Sequence, residues 1–321
     1  MKYLYCTSLL IALSYTLSAQ QPAQYSTYML DPMRYNPAYA GLDYGLSVTG
    51  TYRQQGVGWE GAPVGQRASA HLPLYFLRGG LGFQFENDEI GAHQVTSVLG
   101  ADNYHMEMGT GVLSLGVGLS WQQWTLRGGE LITPDGVYLP GVETHNDNLL
   151  SLASESGTGI QAAAGVYYQS ERFEAGLSVE NANAGNIQLT QLTYNLASVY
   201  HAYVTTNFEV GNSFVVRPSM WFRSDAIENQ LDISVLGSYN DNIFAGASFR
   251  GYNSVSQDAV ILMAGFRLSP SLQLMYAYDV GLSPLQSVHS GSHEIVVKYR
   301  LDKTIGAGKL PPIIYHPRSR R

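Results

Sequence analysis

Between Gly111 and Trp124 the chain reads GVLSLGVGLSWQQW, and its side chains sort into two sets with a period of two. Leu113, Leu115, Val117, Leu119 and Trp121 make one face; Ser114, Gly116, Gly118, Ser120 and Gln122 make the other. Successive side chains of a strand point to opposite faces of its sheet, so the pattern is that of a half-buried β-strand. A length of roughly ten residues or more, with one face wholly apolar and ending in an aromatic, fits a strand that crosses an outer membrane between lipid and a polar lumen.

The same alternation predicts fourteen strands, near 44–53, 66–74, 79–87, 93–106, 111–126, 159–169, 173–182, 196–210, 214–224, 229–239, 243–252, 257–269, 272–281 and 292–301. The expected fold is therefore all-β, a transmembrane antiparallel barrel of about fourteen strands, an even count as bacterial barrels require. The connections sort by parity. Short turns follow even strands at Gly109-Thr110-Gly111, Ser170-Glu171-Arg172, Gly211-Asn212-Ser213, Asn240-Asp241-Asn242 and Ser269-Pro270-Ser271. The longest connections, Arg127 to Thr158, Asn183 to Asn195 and Leu282 to Gly291, follow odd strands. With a periplasmic N-terminus, this places tight turns in the periplasm and long loops outside.

Composition agrees. Only 13% of residues are charged, against about 25% in an ordinary soluble domain, and 34 Gly and 23 Tyr are present. Tyr belongs in the aromatic girdles of a membrane barrel. The competing reading is a large secreted β-sandwich, which has no reason to sort its loops by parity. Arg53, Glu86, Glu174, Glu180, Arg217, Arg223, Asp232, Arg267, Asp279, Glu294 and Lys298 all fall on the polar face of their strands. Mixed signs on one face imply ion pairs around an internal plug rather than a wide aqueous pore.

Both ends differ from the alternating middle. Residues 1–19 read as a signal peptide, with Lys2 ahead of an apolar core and Leu17-Ser18-Ala19 as cleavage site. Cys6 lies inside that segment, so the mature chain has no thiol chemistry. Residues 20–43 hold Pro22, Pro32 and Pro37, clustered aromatics and no alternation, and are expected to form an N-terminal plug or periplasmic segment; a disordered tail is the competing reading. Here Asn36-Pro37 starts a turn, Tyr35 and Tyr39 flank it as amphipathic anchors, and Gly41 releases the chain into strand one. The barrel would span 44–301, and 302–321 would be a periplasmic tail. Gly116 and Gly118 point inward in mid-strand, where glycine marks close approach of other backbone, either the 20–41 segment or a client chain.

Candidate chemistry is sparse. Gly56-Val57-Gly58-Trp59-Glu60-Gly61 matches a dinucleotide-binding pattern literally, but Pro63 and the strand after it supply no helix, so these glycines are expected to let Trp59 fold back. The histidines show no metal-ligand spacing. His289-Ser290-Gly291-Ser292-His293 reads as a turn, with an outer-membrane lipase site as its catalytic alternative. No catalytic, cofactor or metal residues are assigned. A net charge of −7, with basic residues clustered only at Arg318, Arg320 and Arg321, leaves no footprint for nucleic acid.

Five stretches in order, QYSTYMLDPMRYNPAYAG with its Asn36-Pro37-Ala38-Tyr39-Ala40-Gly41 core, YRQQGVGWEGAP (52–63, with Trp59, Glu60, Gly61 and Pro63), GLGFQFENDEIGAH (80–93), GVYYQSERFEAGLSVENA and GSHEIVVKYRL (291–301), are similar to those of the PorP/SprF family of type IX secretion system membrane proteins from Bacteroidetes-type bacteria. The chain departs from the family pattern at Gly56, where an aromatic is usual, and after Leu301, where a basic tail follows. The resemblance implies an outer-membrane barrel of a Gram-negative bacterium, without enzymatic activity, that works with the type IX export and gliding machinery. It further implies either a dedicated partner that binds the C-terminal region of a client adhesin, or a core component coupled to a periplasmic peptidoglycan-associated protein. A third expectation, from architecture alone, is a transporter of hydrophobic small molecules like the fatty-acid (FadL-like) barrels.

Overall fold

Alternating side chains build fourteen antiparallel barrel strands in the computed structural model, which describes residues 24–251, 258–282 and 290–301. We number them β1 Leu46–Gln54, β2 Val64–Leu74, β3 Gly79–Ile90, β4 His93–Met108, β5 Gly111–Arg127, β6 Ser154–Gln169 and β7 Phe173–Glu180. The second half is β8 Val199–Thr206, β9 Phe214–Ser224, β10 Asn229–Tyr239, β11 Ile243–Arg250, β12 Ala259–Ser269, β13 Leu272–Gly281 and β14 Ser292–Leu301. Each strand pairs with its neighbours in sequence, and β1 pairs with β14 from Leu46↔Leu301 to Gln54↔His293, so the sheet has no free edge. Closure matters because an unpaired edge inside a bilayer leaves backbone polar groups without partners. The ladder of β8 breaks at Asn207 and resumes over Phe208–Val210 against β9.

The two faces separate as the alternation requires. On β5, Leu115, Val117, Leu119 and Trp121 are exposed to the outside, whereas Ser114, Gly116, Gly118 and Ser120 are buried inside. β4, β5 and β6 run for 16, 17 and 16 residues, beyond the ~9–11 needed to cross the hydrocarbon. The excess of β5 and β6 reaches the rung Arg127↔Ser154, so this wall stands above the bilayer on the long-loop side. That extension is why β6 begins earlier than its apolar pattern indicates: Glu155 to Thr158 pair with β5, but the exposed side chains there, Ser156 and Thr158, are polar.

Two long connections cap this end. The stretch after β5 carries a hairpin, Val137–Leu139 with Val142–Thr144, and the stretch after β7 carries another, Asn186–Gln188 with Thr193–Asn195. Ile187, Leu189 and Leu196 pack with Ala92 and Leu126, and Trp124, Leu131, Leu150 and Tyr194 close over them. At the opposite end the connections are short turns, such as Gly109-Thr110 and Asn240-Asp241-Asn242.

The main core lies in the lumen. Residues 24–43 run inside the barrel as three single 3-10 turns, Tyr28–Leu30, Pro32–Arg34 and Pro37–Tyr39. Proline at the start of two of them fixes φ where no N–H is needed. Tyr28, Met33, Tyr35, Ala38, Tyr39 and Leu42 are buried against the inward side chains Tyr167, Tyr203, Trp221, Ile261, Met275 and Val296. Tyr25 lies at the long-loop end, hydrogen-bonded to Asp88, and Tyr44 at the turn end, where its carbonyl accepts from Tyr75 Oη at 2.6 Å. The segment therefore passes down the whole barrel before β1 starts back up. No helix among the described residues is long and apolar enough to cross a membrane. The expected signal peptide (1–19), the tail (302–321), His289 and most of the 282–291 connection lie outside the described residues.

Candidate functional site

Asn36 anchors the internal segment at mid-barrel. Its Oδ1 accepts from the Ala38 N–H at 3.0 Å, capping the Pro37–Tyr39 turn. Its Nδ2 donates to the Val166 carbonyl at 3.1 Å and the Leu177 carbonyl at 3.3 Å, on β6 and β7. One amide thus holds the turn and fastens it to two strands. Gly165 and Gly176 make room for it: a Cβ on Gly165 would lie 2.9 Å from Asn36 Cγ, and one on Gly176 2.9 Å from Nδ2.

Gly116 and Gly118 face the same turn but differ in tightness. A Cβ at Gly116 would come within 2.5 Å of Ala38 Cα and 2.7 Å of the Pro37 carbonyl carbon, whereas one at Gly118 would meet Pro37 Cβ at 3.5 Å, an ordinary contact. Asn103 on β4 donates to the carbonyls of Ala38 at 2.9 Å and Ala40 at 2.7 Å. Gly41 adopts φ +77°, and a Cβ there would lie 2.9 Å from the backbone of both Pro73 and Gly80, so the exit of the segment demands glycine twice over.

Tyr35 and Tyr39 flank this turn and both hydroxyls find partners. Tyr35 stacks on Trp221 with centroids 5.2 Å apart and donates to the Tyr28 carbonyl at 3.1 Å. Tyr39 meets Tyr167 edge-on at 5.0 Å and donates to Asp43 Oδ1 at 2.8 Å. Such rings bury large apolar areas while keeping one polar tip satisfied.

Charges converge at two levels. Near the long-loop end, Arg53 contacts Asp279 at 2.6 Å and Glu294 at 3.1 Å, and Arg250 contacts Asp232 at 3.0 Å and Asp279 at 3.4 Å. Ser26 Oγ accepts from Arg53 at 2.9 Å and donates to Asp279, while Glu294 accepts the N–H groups of Ser26 and Thr27 and the Thr27 hydroxyl. Arg34 spans from Glu86 at 3.0 Å to Glu180 at 2.8 Å. Towards the turn end, Lys298 pairs with Asp43 at 2.9 Å and donates to the Leu30 carbonyl at 3.0 Å. Buried pairs of this kind add little net stability over apolar packing but heavily penalise the loss of one partner.

The loop residues Trp59, Glu60, Gly61 and Pro63 lie apart from this assembly, in the connection between β1 and β2. Trp59 is 54% exposed and does not fold back as the sequence led us to expect. Gly56, Gly58 and Gly61 all take positive φ, giving tight turns closed by Trp59 N–H to Gly56 O at 3.2 Å and Ala62 N–H to Trp59 O at 3.2 Å, which turn the indole outward. Sequence reasoning passed over Arg67, Asn103 and Arg250, although each sits in phase with the inward set of its strand. Ser26, Asp31 and Arg34 carried no periodic signal, because the segment that bears them has none.

The model of the type IX secretion system membrane protein PorP/SprF family matches residues 17–299. No curated protein matches the chain significantly. Among solved structures the chain is similar to outer membrane protein Omp33 of Acinetobacter baumannii, at 10% identity over 80% of this chain and 98% of that one, with a TM-score of 0.46. It is also similar to the toluene transporter TbuX of Ralstonia pickettii, at 13% identity over 84% and 92% with a TM-score of 0.49. The CymD monoaromatic hydrocarbon channel is similar at 12% identity over 86% and 94%, with a TM-score of 0.46.

Proposed function

Because the chain belongs to the PorP/SprF family of type IX secretion system membrane proteins and folds as an outer-membrane β-barrel, we propose that it is a non-enzymatic partner barrel that binds the C-terminal region of a client adhesin and supports its secretion or surface attachment. The observation that carries this reading is the filled lumen: residues 24–43 run through it, with Tyr28, Met33, Tyr35, Asn36 and Tyr39 buried. The segment acts as a plug, with Tyr35, Asn36, Pro37, Tyr39 and Gly41 as its docking elements, Gly116 and Gly118 as the wall that receives it, and Glu294 as its anchor. A plugged barrel offers its partner loops rather than a passage.

On this reading the short turns face the periplasm and the capped end faces outward, presenting Ile132, Leu139 and Val142, all more than half exposed, together with the Trp59 loop. A transporter of hydrophobic molecules would need an apolar path instead, and the inward face here is laced with ion pairs among Arg53, Arg250, Asp232, Asp279 and Glu294. Coupling to a peptidoglycan-associated protein would use the short-turn end.

The test replaces the hairpin residues 137–144 by a Gly-Ser linker and measures client display on intact cells, normalised to barrel abundance. Loss of display at unchanged abundance is expected. Normal display, or a deletion strain that displays its client normally yet grows poorly on long-chain lipids, overturns the proposal.

A further inference from the structure

Asp102 breaks the pattern of the outer wall. On the β4–β5 hairpin the outward rungs run from Met106↔Leu113, near the turn, to Val98↔Trp121, and turn polar beyond it at Thr96↔Gln123. Asp102↔Val117 stands midway between those limits, four residues from each, and every other rung between them is apolar or aromatic. Asp102 is exposed, and its rung neighbours Leu81 on β3 and Val117 on β5 are 44% and 63% exposed. The carboxylate therefore points out of the barrel at mid-depth. Four residues of strand are about 13 Å, which a barrel tilt near 40° shortens to about 10 Å of depth. A carboxyl on a single methylene does not bridge that distance to either interface, as a long Lys or Arg side chain can.

The barrel itself does not satisfy this group. No hydrogen bond or ion pair among the described residues involves it. Among the described residues of the fourteen strands, the other outward carboxylate is Glu89, at the long-loop rim, where it meets Arg127 at 3.1 Å. An ionisable side chain inside the membrane is costly unless a partner answers it. Beside Asp102 there is also room for one. One rung higher, Gly100 lies between Phe83 and Leu119, which are 51% and 65% exposed. A Cβ at Gly100 would meet nothing within 4 Å, so two large side chains flank an open notch next to the charge.

We propose that this face docks a second membrane-spanning protein, different from this chain, that brings an arginine or lysine to mid-bilayer depth, with its stem in the Gly100 notch and its charge on Asp102. A second copy does not fit the place. Among the described strand residues the outward Lys or Arg is Arg127, at the rim and already paired, and two copies meeting through this face would set Asp102 against Asp102. Like charges so placed reject a partner, and opposite charges select one. The contact lies within the bilayer, apart from the outer loops assigned to the client, and stands whether or not that assignment does.

The test is photo-crosslinking in intact cells. Benzoylphenylalanine in place of Val117 should give one discrete adduct with a different protein, and the same probe in place of Val235, outward on β10 across the barrel, should give none. Mass spectrometry of the adduct should find a spanning segment with Lys or Arg on its lipid-facing side. Asp102→Asn should cut the adduct about tenfold at unchanged barrel abundance, while Asp102→Glu keeps most of it. Gly100→Leu, which fills the notch, should cut it as well, and carries the test if Asp102→Asn fails to assemble. In vesicles of phosphatidylcholine, where no partner is present, the purified Asp102→Asn barrel should keep its folded band to the same or a higher temperature than the parent. An adduct undiminished in Asp102→Asn, one of twice the barrel's own mass, or crosslinking to lipid alone overturns the proposal. A folded band lost at lower temperature in vesicles overturns it too, since the carboxylate would then serve the barrel itself.

Discussion

The Ser26 N–H donates to Glu294 Oε2 at 2.7 Å, joining positions 268 apart in the chain. Ser26 belongs to the internal segment and Glu294 to the last strand, and Arg53 of the first strand reaches both. One carboxylate therefore ties the segment to the two strands whose pairing closes the barrel.

Glu294→Gln removes the charge opposite Arg53 and, with one oxygen left in place of two, sets its NH2 against the N–H of either Ser26 or Thr27. Breaking a buried pair from one side costs on the order of 3–5 kcal/mol. The expected outcome is a barrel that loses its folded electrophoretic band at lower temperature and whose segment is cut by protease. An unchanged band and an intact segment would show that the cluster adds nothing to docking.

At the glycine wall the two inward positions separate. Gly116→Ala pushes a methyl into the Pro37-Ala38 backbone, which cannot swing aside, and should reduce folded barrel several-fold. Gly118→Ala places its methyl in ordinary contact and should be neutral, or slightly stabilising through lower unfolded-chain entropy. Western blots of heated and unheated membranes compare them directly; equal behaviour would mean that the segment stands further from β5.

Asn36 offers a graded test of the turn. Asn36→Ala deletes its bonds to the Val166 and Leu177 carbonyls and to Ala38 N–H, costing roughly 1–3 kcal/mol. Asn36→Asp keeps the cap but faces two carbonyl oxygens with a carboxylate, and should be the worse of the two. Urea titration of the purified barrel gives the order, and the reverse order would refute the donor role of Nδ2.

Single cysteines test the orientation. On intact cells, membrane-impermeant maleimide should label Leu139→Cys in the capping hairpin and leave Asn212→Cys unlabelled until cells are broken. Labelling of Asn212→Cys from outside would invert the proposed polarity.

The barrel was legible because lipid enforces a rule at every second position. A misplaced charge at the midplane costs about 2–4 kcal/mol, so Leu115, Val117 and Leu119 on one face of β5 and the inward Arg53, Asp232 and Glu294 could be placed by phase alone. Loop-side strand ends were less legible, since β6 extends through Glu155 to Thr158, where the exposed side chains are polar. The interior partners were least legible. Gly116 could be placed inward, but not that its close neighbour is Ala38 while Gly118 only touches Pro37. Contacts between an aperiodic segment and a wall are set by three-dimensional fit, and residues such as Ser26 and Arg34 show their part only when strands far apart in sequence are drawn together.

The direction of the internal segment fixes an order of events. Its beginning, at Ser26, lies level with Arg53 near the capped end, and its end leads into Leu46 at the opposite rim. The lumen that holds the segment is lined with bulky side chains, among them Tyr167, Tyr203 and Trp221, so closing the sheet around the segment is expected to be easier than threading the segment through a closed cylinder. Ser26 and Thr27 then act as a mandrel, presenting Arg53 and Glu294 to one another before their strands zip. A chain deprived of residues 24–43 is expected to keep every strand and yet leave Arg53 and Glu294 without the groups that Ser26 and Thr27 present to them, and a folded, heat-modifiable band from that chain would show that closure does not need the mandrel.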